Sequence, residues 1–304
     1  MSENKYKGYK SGFVAVMGRP NVGKSTLMNA LLGQRIAAVS SKPQTTRTQQ
    51  LGILTLEKAQ IIFIDTPGLH RPYHKLGEYM NIDAKKALED ADLGLFIVDG
   101  STFPPHEEDH LLVDLLNDIP GQTRMIIALN KLDRIAQNEL EERVNVYQQL
   151  LPQAEIVPIS AARGDNLPQL KTAIIAQLPE YPPFFAAEQI TDLSERDIAA
   201  DLIRAAAMLC LQDELPHVIA IRIDTYEERG EKGGYIEATI FVERESQKGI
   251  LIGYKGKMIK RIGSMARKDI EDMSGRKVFL SLRVKVRPNW RNDENALRLF
   301  GFNK

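Results

Sequence analysis

The chain has 304 residues, of which 43% are hydrophobic and 26% charged, and this length allows two domains with buried cores. Its 40 basic residues balance its 40 acidic residues, so net charge alone argues against a nucleic-acid-binding protein. No apolar run approaches the roughly 20 residues that span a bilayer. The polar N-terminus does not resemble a signal peptide. The single cysteine, Cys210, excludes an intramolecular disulfide and fits a cytoplasmic location.

The first 180 residues alternate short apolar runs with amphipathic stretches, which predicts a mostly parallel sheet covered by helices on both faces. The predicted strands lie at 12–17, 49–56, 61–64, 93–98, 125–129 and 156–159. The predicted helices lie at 24–33, 79–90, 106–117, 138–150 and 167–178, and the stretches 34–48 and 69–78 are expected to be loops. The polar motifs described below follow the carboxyl ends of strands, where open α/β sheets bind ligands.

A glycine-rich octapeptide, Gly-Arg-Pro-Asn-Val-Gly-Lys-Ser, joins the first strand to the first helix. This context is typical of a phosphate-binding loop, in which backbone N–H groups and the helix N-terminus surround anionic oxygens. Lys24 is expected to reach the β- and γ-phosphates, and the Ser25 hydroxyl to ligate Mg²⁺. The predicted nucleotide contacts in this stretch are Gly18, Arg19, Pro20, Asn21, Val22, Gly23, Lys24, Ser25 and Thr26.

A second motif, Asp65-Thr66-Pro67-Gly68, follows the apolar run at 61–64. The Asp65 carboxylate suits an outer-sphere partner of Mg²⁺, and the Gly68 N–H suits the γ-phosphate. Thr66, Pro67 and the following Leu69 complete the predicted nucleotide-contacting segment.

The base is predicted from Asn130-Lys131-Leu132-Asp133, which follows the strand at 125–129. The Asp133 carboxylate can accept two hydrogen bonds from the ring N–H and exocyclic amine of guanine. Adenine offers no such pair of donors and would leave the carboxylate unpaired. Asn130 is expected to brace the loop and contact the base, and Lys131 to lie over the base plane. The Ala161 N–H, in the segment Ser160, Ala161 and Ala162, is expected to meet the guanine oxygen. The expected ligands are therefore GTP and GDP.

Together these motifs resemble Ras-like GTPases of the translation-factor type. The resemblance implies that Thr46 completes the Mg²⁺ shell when GTP is bound, with Thr45 as its competitor, and that Asn21, Lys24, Thr46 and Gly68 act in catalysis. Asn21 also resembles the asparagine of a bacterial subgroup that binds K⁺ near the phosphates. Leu69 replaces the glutamine that orients the attacking water in Ras-like enzymes. Intrinsic hydrolysis is therefore expected to be slow, or the water to be positioned otherwise.

The pattern changes after residue 180. The proline-rich stretch 181–192 predicts a linker, and 193–304 a second domain with a basic C-terminal tail. Predicted elements are a helix at 194–213, strands at 217–226, 234–243 and 277–286, and a short and a longer helix around Gly253-Tyr254-Lys255-Gly256. Residues 248–304 contain 15 basic and 5 acidic residues, which indicates a basic surface for a phosphate backbone.

The segment Gly253-Tyr254-Lys255-Gly256 resembles the GXXG loop of KH domains, which clamps single-stranded RNA. The predicted fold is therefore an α/β P-loop GTPase domain (1–180) followed by an α+β KH domain of type II. The predicted RNA contacts are Gly253, Tyr254, Lys255, Gly256, Lys257, Lys260, Lys285 and Arg287.

The order of the two domains resembles the Era family of GTPases over nearly the whole chain. This resemblance implies binding to small-subunit ribosomal RNA near its 3′ end and a role in small-subunit maturation. It also implies a monomer in the cytoplasm with partial peripheral membrane contact. The alternative is a non-enzymatic RNA-binding module that holds GTP only as a structural ligand, with Leu69 marking lost turnover.

Overall fold

The computed structural model describes residues 6–34, 49–66, 74–117, 124–228, 230 and 233–302. The chain divides into two compact units. The described residues of the N-terminal unit are 6–34, 49–66, 80–117 and 124–192, and the C-terminal unit comprises the described residues from 193 onward together with 74–79.

The N-terminal unit is built on a six-stranded sheet with the strand order β2-β3-β1-β4-β5-β6. Its strands are β1 (Lys10–Met17), β2 (Gln50–Thr55), β3 (Ala59–Asp65), β4 (Leu93–Asp99), β5 (Arg124–Asn130) and β6 (Glu155–Pro158). Strand β2 pairs antiparallel with β3, and every other pairing in this sheet is parallel. The sheet confirms the predicted, mostly parallel architecture.

The helices of this part of the chain are α1 (Lys24–Leu32), α2 (Lys75–Glu89), α3 (Glu107–Asn117), α4 (Leu140–Leu150) and α5 (Leu167–Gln177). Every residue of β3 and β4 is buried, as expected for strands of a parallel sheet that is covered on both faces. Because β1, β3, β4, β5 and β6 run in the same direction, the loops after these strands lie along one edge of the sheet.

Helix α2 begins at Lys75, so the prediction of a loop that extends to residue 78 is wrong for 75–78. Leu76, Met80, Ala84 and Leu88 are buried and recur every four residues. This spacing continues one helical face upstream of the predicted start. Polar residues between these positions obscure the periodicity in the sequence.

The stretch interpreted as a linker, 181–192, is hydrogen-bonded to the six-stranded sheet. The Tyr181 N–H donates to the carbonyl of Tyr9 at 3.0 Å, and the Ile53 N–H donates to the carbonyl of Ile190 at 2.8 Å. The Gln60 side chain accepts hydrogen bonds from the backbone of Phe184 and Phe185. These bonds extend the ordered backbone of the N-terminal unit to the boundary at Asp192.

The C-terminal unit has the element order of a type II KH domain, which confirms the predicted fold. Its elements are α6 (Glu195–Cys210), β7 (Ala220–Glu228), β8 (Gly234–Val242), α7 (Glu245–Ile252), α8 (Lys257–Ser274), β9 (Val278–Val286) and α9 (Glu294–Leu299). The sheet order is β7-β8-β9, with β8 antiparallel to β7 and parallel to β9. Apolar residues of α6 and α8 form one core with the sheet.

The residues after β9 fold back onto this unit, and helix α9 was not predicted from the sequence. Trp290 is fully buried, and its indole N–H donates to the carbonyl of Val218 at 2.8 Å. The rings of Phe300 and Phe302 lie 5.3 and 6.1 Å from its ring. In the described part of the chain, none of the helices combines the length and the apolar character needed to cross a membrane.

We expect Trp290→Phe to lower the free energy of unfolding of the C-terminal unit by about 2 kcal/mol, because it removes a buried hydrogen bond and leaves a cavity. Chemical denaturation followed by circular dichroism measures this change. Tyr181→Phe, at an exposed position, is the control and should change stability by less than about 0.5 kcal/mol. An equal effect of the two substitutions would show that Trp290 does not anchor the C-terminal residues.

Candidate functional site

Three residues of the phosphate loop between β1 and α1 have positive φ angles, and they are Gly18, Asn21 and Gly23. Gly18 has a φ angle of 147° and Asn21 a φ angle of 65°. A Cβ atom on Gly18 would lie 2.3 Å from the carbonyl oxygen of Ile97, so only glycine fits there. The loop therefore has glycine where the backbone passes closest to β4, and successive N–H groups can line a concave anion site.

Lys24 is buried inside this loop. Its ammonium group donates to the carbonyl oxygens of Gly18 and Arg19 at 2.7 and 3.1 Å. Burial lowers the pKa of Lys24 to about 8, and the nearby Asp65 carboxylate partly opposes this effect. A phosphate group in the loop would favour the charged form of this lysine.

Asn130, the last residue of β5, joins the phosphate loop to the loop after β6. Its side-chain amide donates to the carbonyl of Val22 at 2.7 Å, and its side-chain oxygen accepts the Ala161 N–H at 2.9 Å. The predicted bracing contact of Asn130 is thus present. The Ala161 N–H, which is predicted to meet the guanine oxygen, donates to the Asn130 side chain in this structure.

The residues predicted to recognise the base lie next to this bridge. Ser160 Oγ donates to Asp133 Oδ1 at 2.6 Å, and this hydrogen bond is the main reason that the pKa of Asp133 lies below its ordinary value. Asp133 is therefore a carboxylate at neutral pH, as guanine recognition requires. Lys131 has a left-handed φ angle of 67°, and its ammonium donates to Asp99 Oδ2 at 2.6 Å.

The second phosphate-side motif begins at the end of β3. Asp65 is fully buried and accepts a hydrogen bond from Gln50 Nε2 at 3.2 Å. Thr66 donates from Oγ1 to the carbonyl of Val16 at 2.7 Å, which ties the motif to β1. The predicted residues that lie outside the described part of the chain are Thr45, Thr46, Pro67, Gly68 and Leu69.

A charged network beside the loop was not predicted from the sequence. The Arg19 guanidinium lies 3.4 Å from the buried carboxylate of Asp109 and 3.7 Å from that of Asp99. The Tyr147 hydroxyl donates to Asp109 at 3.2 Å. Burial raises the pKa of Asp109, against the effect of Arg19. Through Asp99, the same network reaches Lys131, so Arg19 connects the phosphate loop to the loop after β5.

The pKa of Asp99 shows how the charges in this network balance. Burial by itself would raise the pKa of Asp99, but hydrogen bonds from Lys131 and Ser101 lower it below the ordinary value. In the sequence, Asp99-Gly100 indicated only the end of a strand. Asp99 is the last residue of a buried strand, as Asn130 is, and this shared position is the sequence signal that could have identified Asp99 as a site residue.

The GXXG segment of the second unit lies between α7 and α8. Gly253 has a φ angle of 71°, and a Cβ there would lie 2.9 Å from the backbone nitrogen of Met258. Tyr254 is 74% exposed, and the ammonium groups of Lys255 and Lys257 lie 5.4 and 5.9 Å from the centre of its ring. The loop therefore presents an aromatic ring and two cations to solvent.

A groove of 310 Å³ lies between α8 and β9. Its lining combines apolar, small and basic residues, which are Ile259, Lys260, Gly263, Ser264, Arg267, Leu280 and Leu282. Of these, only Lys260 was predicted from the sequence. The others require knowing which face of α8 meets which face of β9.

Lys285 and Arg287 lie away from the groove. Lys285 lies on the opposite face of β9 from Leu280 and Leu282, because successive side chains of a strand alternate between the two faces. Arg287 forms an ion pair with Asp293 at 3.2 Å. The structure therefore brings together the GXXG residues, Lys257 and Lys260 but separates Lys285 and Arg287 from them.

Comparisons with known proteins agree with this arrangement. A family model described as 50S ribosome-binding GTPase matches residues 13–131, and a KH domain model matches residues 214–291. The GTPase Era of Heliobacterium modesticaldum is 43% identical over 295 residues, which cover 97% of this chain and 98% of that protein. The GTPase Era of Leuconostoc citreum is 45% identical over 297 residues and 97% of both chains. The chain belongs to the Era family.

Solved structures of the Era family match over both units. Era in complex with MgGDPNP and nucleotides 1506–1542 of 16S ribosomal RNA is 39% identical, has a TM-score of 0.91 and matches over 97% of this chain and 99% of that one. A single-residue variant of Aquifex aeolicus Era bound to GDP.AlF4⁻ gives a TM-score of 0.89 at 39% identity, over 96% of this chain and 99% of that one. This Era-family chain is a GTP-hydrolysing enzyme with a P-loop GTPase domain and a C-terminal KH domain.

We expect Asp133→Asn to weaken GTP binding by about 100-fold or more and to shift preference toward xanthosine triphosphate, because an amide donates where guanine needs an acceptor. Competition titrations with both nucleotides measure this shift. Ser160→Ala is the matched control, since it removes the bond to Asp133 but keeps the carboxylate, so GTP should remain preferred. Unchanged GTP affinity in Asp133→Asn would contradict the base assignment.

We expect the affinity for GDP to fall as the pH rises above about 8. Below this pH Lys24 is already charged in the free protein. Above it, binding must first protonate the lysine, so the dissociation constant should rise by up to about tenfold per pH unit. Titrations with labelled GDP between pH 7 and 9 measure the slope. Lys24→Arg stays charged throughout, so its slope should be clearly smaller, and equal slopes would reject the role of Lys24.

Proposed function

We propose that this protein is a GTP-driven switch that binds small-subunit ribosomal RNA near its 3′ end and assists maturation of the small ribosomal subunit. The observation that carries the proposal is the match over both units to an Era structure that contains MgGDPNP and nucleotides 1506–1542 of 16S ribosomal RNA. The guanine-directed Asp133 carboxylate and the basic groove of the KH domain support the same conclusion.

In the nucleotide site, the loop N–H groups and Lys24 are proposed to hold the phosphates, and Asp133 to select guanine. Mg²⁺ fits the available donors, because the Ser25 hydroxyl supplies an oxygen ligand of the kind this ion prefers and the buried Asp65 carboxylate supplies an outer-sphere partner. When bound, Mg²⁺ neutralises negative charge on the phosphates. The additional proposed contacts, Thr46 and the Gly68 N–H, would bind the ion and the γ-phosphate only in the GTP state.

Hydrolysis is proposed to be slow without an activator, since leucine occupies position 69 and cannot orient a water molecule. A K⁺ ion held with the help of Asn21 would supply positive charge near the phosphates. Asn21 is exposed, and its left-handed backbone is part of the loop.

In the KH domain, the groove between α8 and β9 is proposed to hold single-stranded RNA. The apolar residues Ile259, Leu280 and Leu282 would contact bases, and Lys260 and Arg267 would contact phosphates. The GXXG loop would close one end, with Tyr254 and Lys255 toward the RNA. Ordering of the nucleotide loops by GTP would change RNA affinity, and hydrolysis would reverse that change.

Further parts of the proposal rest on the family resemblance. They are a cytoplasmic location, partial peripheral membrane contact and a monomeric state. The alternative of a non-enzymatic module is not favoured, because the relatives with which this chain aligns nearly end to end are named GTPases.

The test is GTP hydrolysis by the purified protein in K⁺ buffer, with and without RNA fragments from the 3′ end of the small-subunit ribosomal RNA. We expect RNA to stimulate turnover and Na⁺ in place of K⁺ to reduce it. RNA binding without turnover under any condition would favour the binding-module alternative. Equal turnover in K⁺ and Na⁺ would reject the role of Asn21 in binding K⁺.

We expect the double variant Lys260→Glu/Arg267→Glu to weaken binding to the same RNA by at least about 100-fold. It should also lower the number of counterions released on RNA binding by about two. Fluorescence anisotropy across a range of KCl concentrations measures both. Lys7→Glu/Lys58→Glu changes two exposed cations of the N-terminal unit and is the charge-matched control. An equal loss in the control would show that overall charge, not the groove, controls binding.

A further inference from the structure

The outer face of the three-stranded sheet carries an exposed aromatic pair. Phe279 is 63% exposed, the largest value after Tyr254 among the exposed large hydrophobic residues of the described chain. Tyr235 is its neighbour across the β8–β9 pairing, and the two rings stack with centres 5.5 Å apart and planes inclined by 4°. The core of the domain lies on the other face of the sheet, so these rings are not needed to complete it.

Strand β9 separates this aromatic pair from the groove. Leu280 and Leu282 face the groove, and the residues between and around them face outward. The outward row of β9 consists of Phe279, Ser281, Arg283 and Lys285. A chain that leaves the groove over the edge of β9 would therefore meet this row directly.

The outward row is basic along β9. Residues 276–287 contain five basic residues and no acidic residue. The Arg283 side chain is 60% exposed, and it donates one hydrogen bond to Glu237 at 3.2 Å, which uses only part of its donor capacity. Lys285 is exposed at the far end of the row.

The adjacent strands carry acids. Glu237 and Glu227 lie on β8 and β7, and Glu227 lies opposite Tyr235 in the pairing. On the same face, Arg222 of β7 pairs with Asp224 at 2.7 Å. The exposed positive charge of this face is therefore concentrated on β9, and a polyanion would follow this strand rather than cross the sheet. From Phe279 to Arg283 the strand rises about 13 Å, which is long enough for a short run of nucleotides.

We propose that this outer row of β9 is a second RNA-binding surface, on which a base stacks on Phe279 and Tyr235 while Arg283 and Lys285 contact the following phosphates. The inference rests on the proposed function, because it assigns to the RNA a path that continues beyond the groove. Stacking on exposed aromatic rings of a sheet, with cations alongside, binds single strands without requiring a particular sequence. Lys285, which the groove leaves out, has a role in this arrangement.

The test compares RNA lengths. Fluorescence anisotropy of the full-length protein would be measured with a 5-nucleotide and a 14-nucleotide single-stranded RNA from the 3′ end of the small-subunit ribosomal RNA. We expect Phe279→Ala/Arg283→Ala to weaken binding of the longer RNA by about tenfold, the effect of losing one stacked base, and to leave binding of the short RNA unchanged. Tyr181→Ala, which removes an exposed aromatic side chain from the N-terminal unit, is the control and should change neither affinity.

The groove variant Lys260→Glu/Arg267→Glu separates this inference from the proposed function. This variant should weaken the binding of both RNAs. If the groove variant weakens binding of both RNAs and Phe279→Ala/Arg283→Ala weakens binding of neither, the second surface is rejected and the groove is retained as the RNA site. If the groove variant weakens neither RNA, the proposed RNA site itself is rejected. Circular dichroism and unchanged GTP turnover without RNA would show that Phe279→Ala/Arg283→Ala is folded.

Discussion

The side-chain amide of Asn130 holds the nucleotide site together, because it bonds to two loops that otherwise share no backbone pairing. Its donor binds the carbonyl of Val22 in the phosphate loop, and its acceptor takes the Ala161 N–H. Both bonds are buried, where an unpaired amide would cost about 1–3 kcal/mol. Asn130 lies at the end of β5, which pairs with β4 along its whole length, so the backbone that carries this bridge is fixed by the sheet. The phosphate loop and the loop after β6 are thus positioned together.

Charge balance is the second constraint at this site. A phosphate site needs cations, and burying cations is costly unless carboxylates accompany them. Asp65 lies near Lys24, Asp109 and Asp99 flank Arg19, and Asp99 also holds Lys131. These carboxylates offset the free-energy cost of burying the cationic side chains. The lowered pKa of Lys24 shows that this compensation is incomplete and that bound phosphate would improve it.

In the KH domain, one strand serves two surfaces. The inward side chains Leu280 and Leu282 of β9 line the groove, and its outward side chains form the aromatic and basic row proposed as a second surface. Its neighbour β8 is buried at five consecutive positions at its C-terminal end, so it cannot provide such a surface there.

Part of the basic C-terminal sequence is held in contacts within the domain and is not available to a partner. Arg291 pairs with Glu243 at 2.7 Å, and Trp290 anchors the segment in the core.

The sequence by itself determined the two-domain fold, the phosphate loop, the choice of guanine and the GXXG loop. These features depend on local chemistry, such as glycine at left-handed positions and a carboxylate after a buried strand. Only the tertiary structure decided that Arg19 connects the phosphate loop to Lys131 through Asp99, that the groove includes Leu280 and Leu282, and that Lys285 lies outside it. These facts depend on which faces of distant elements meet, and contacts between residues far apart in the chain leave no periodic signal in a single sequence.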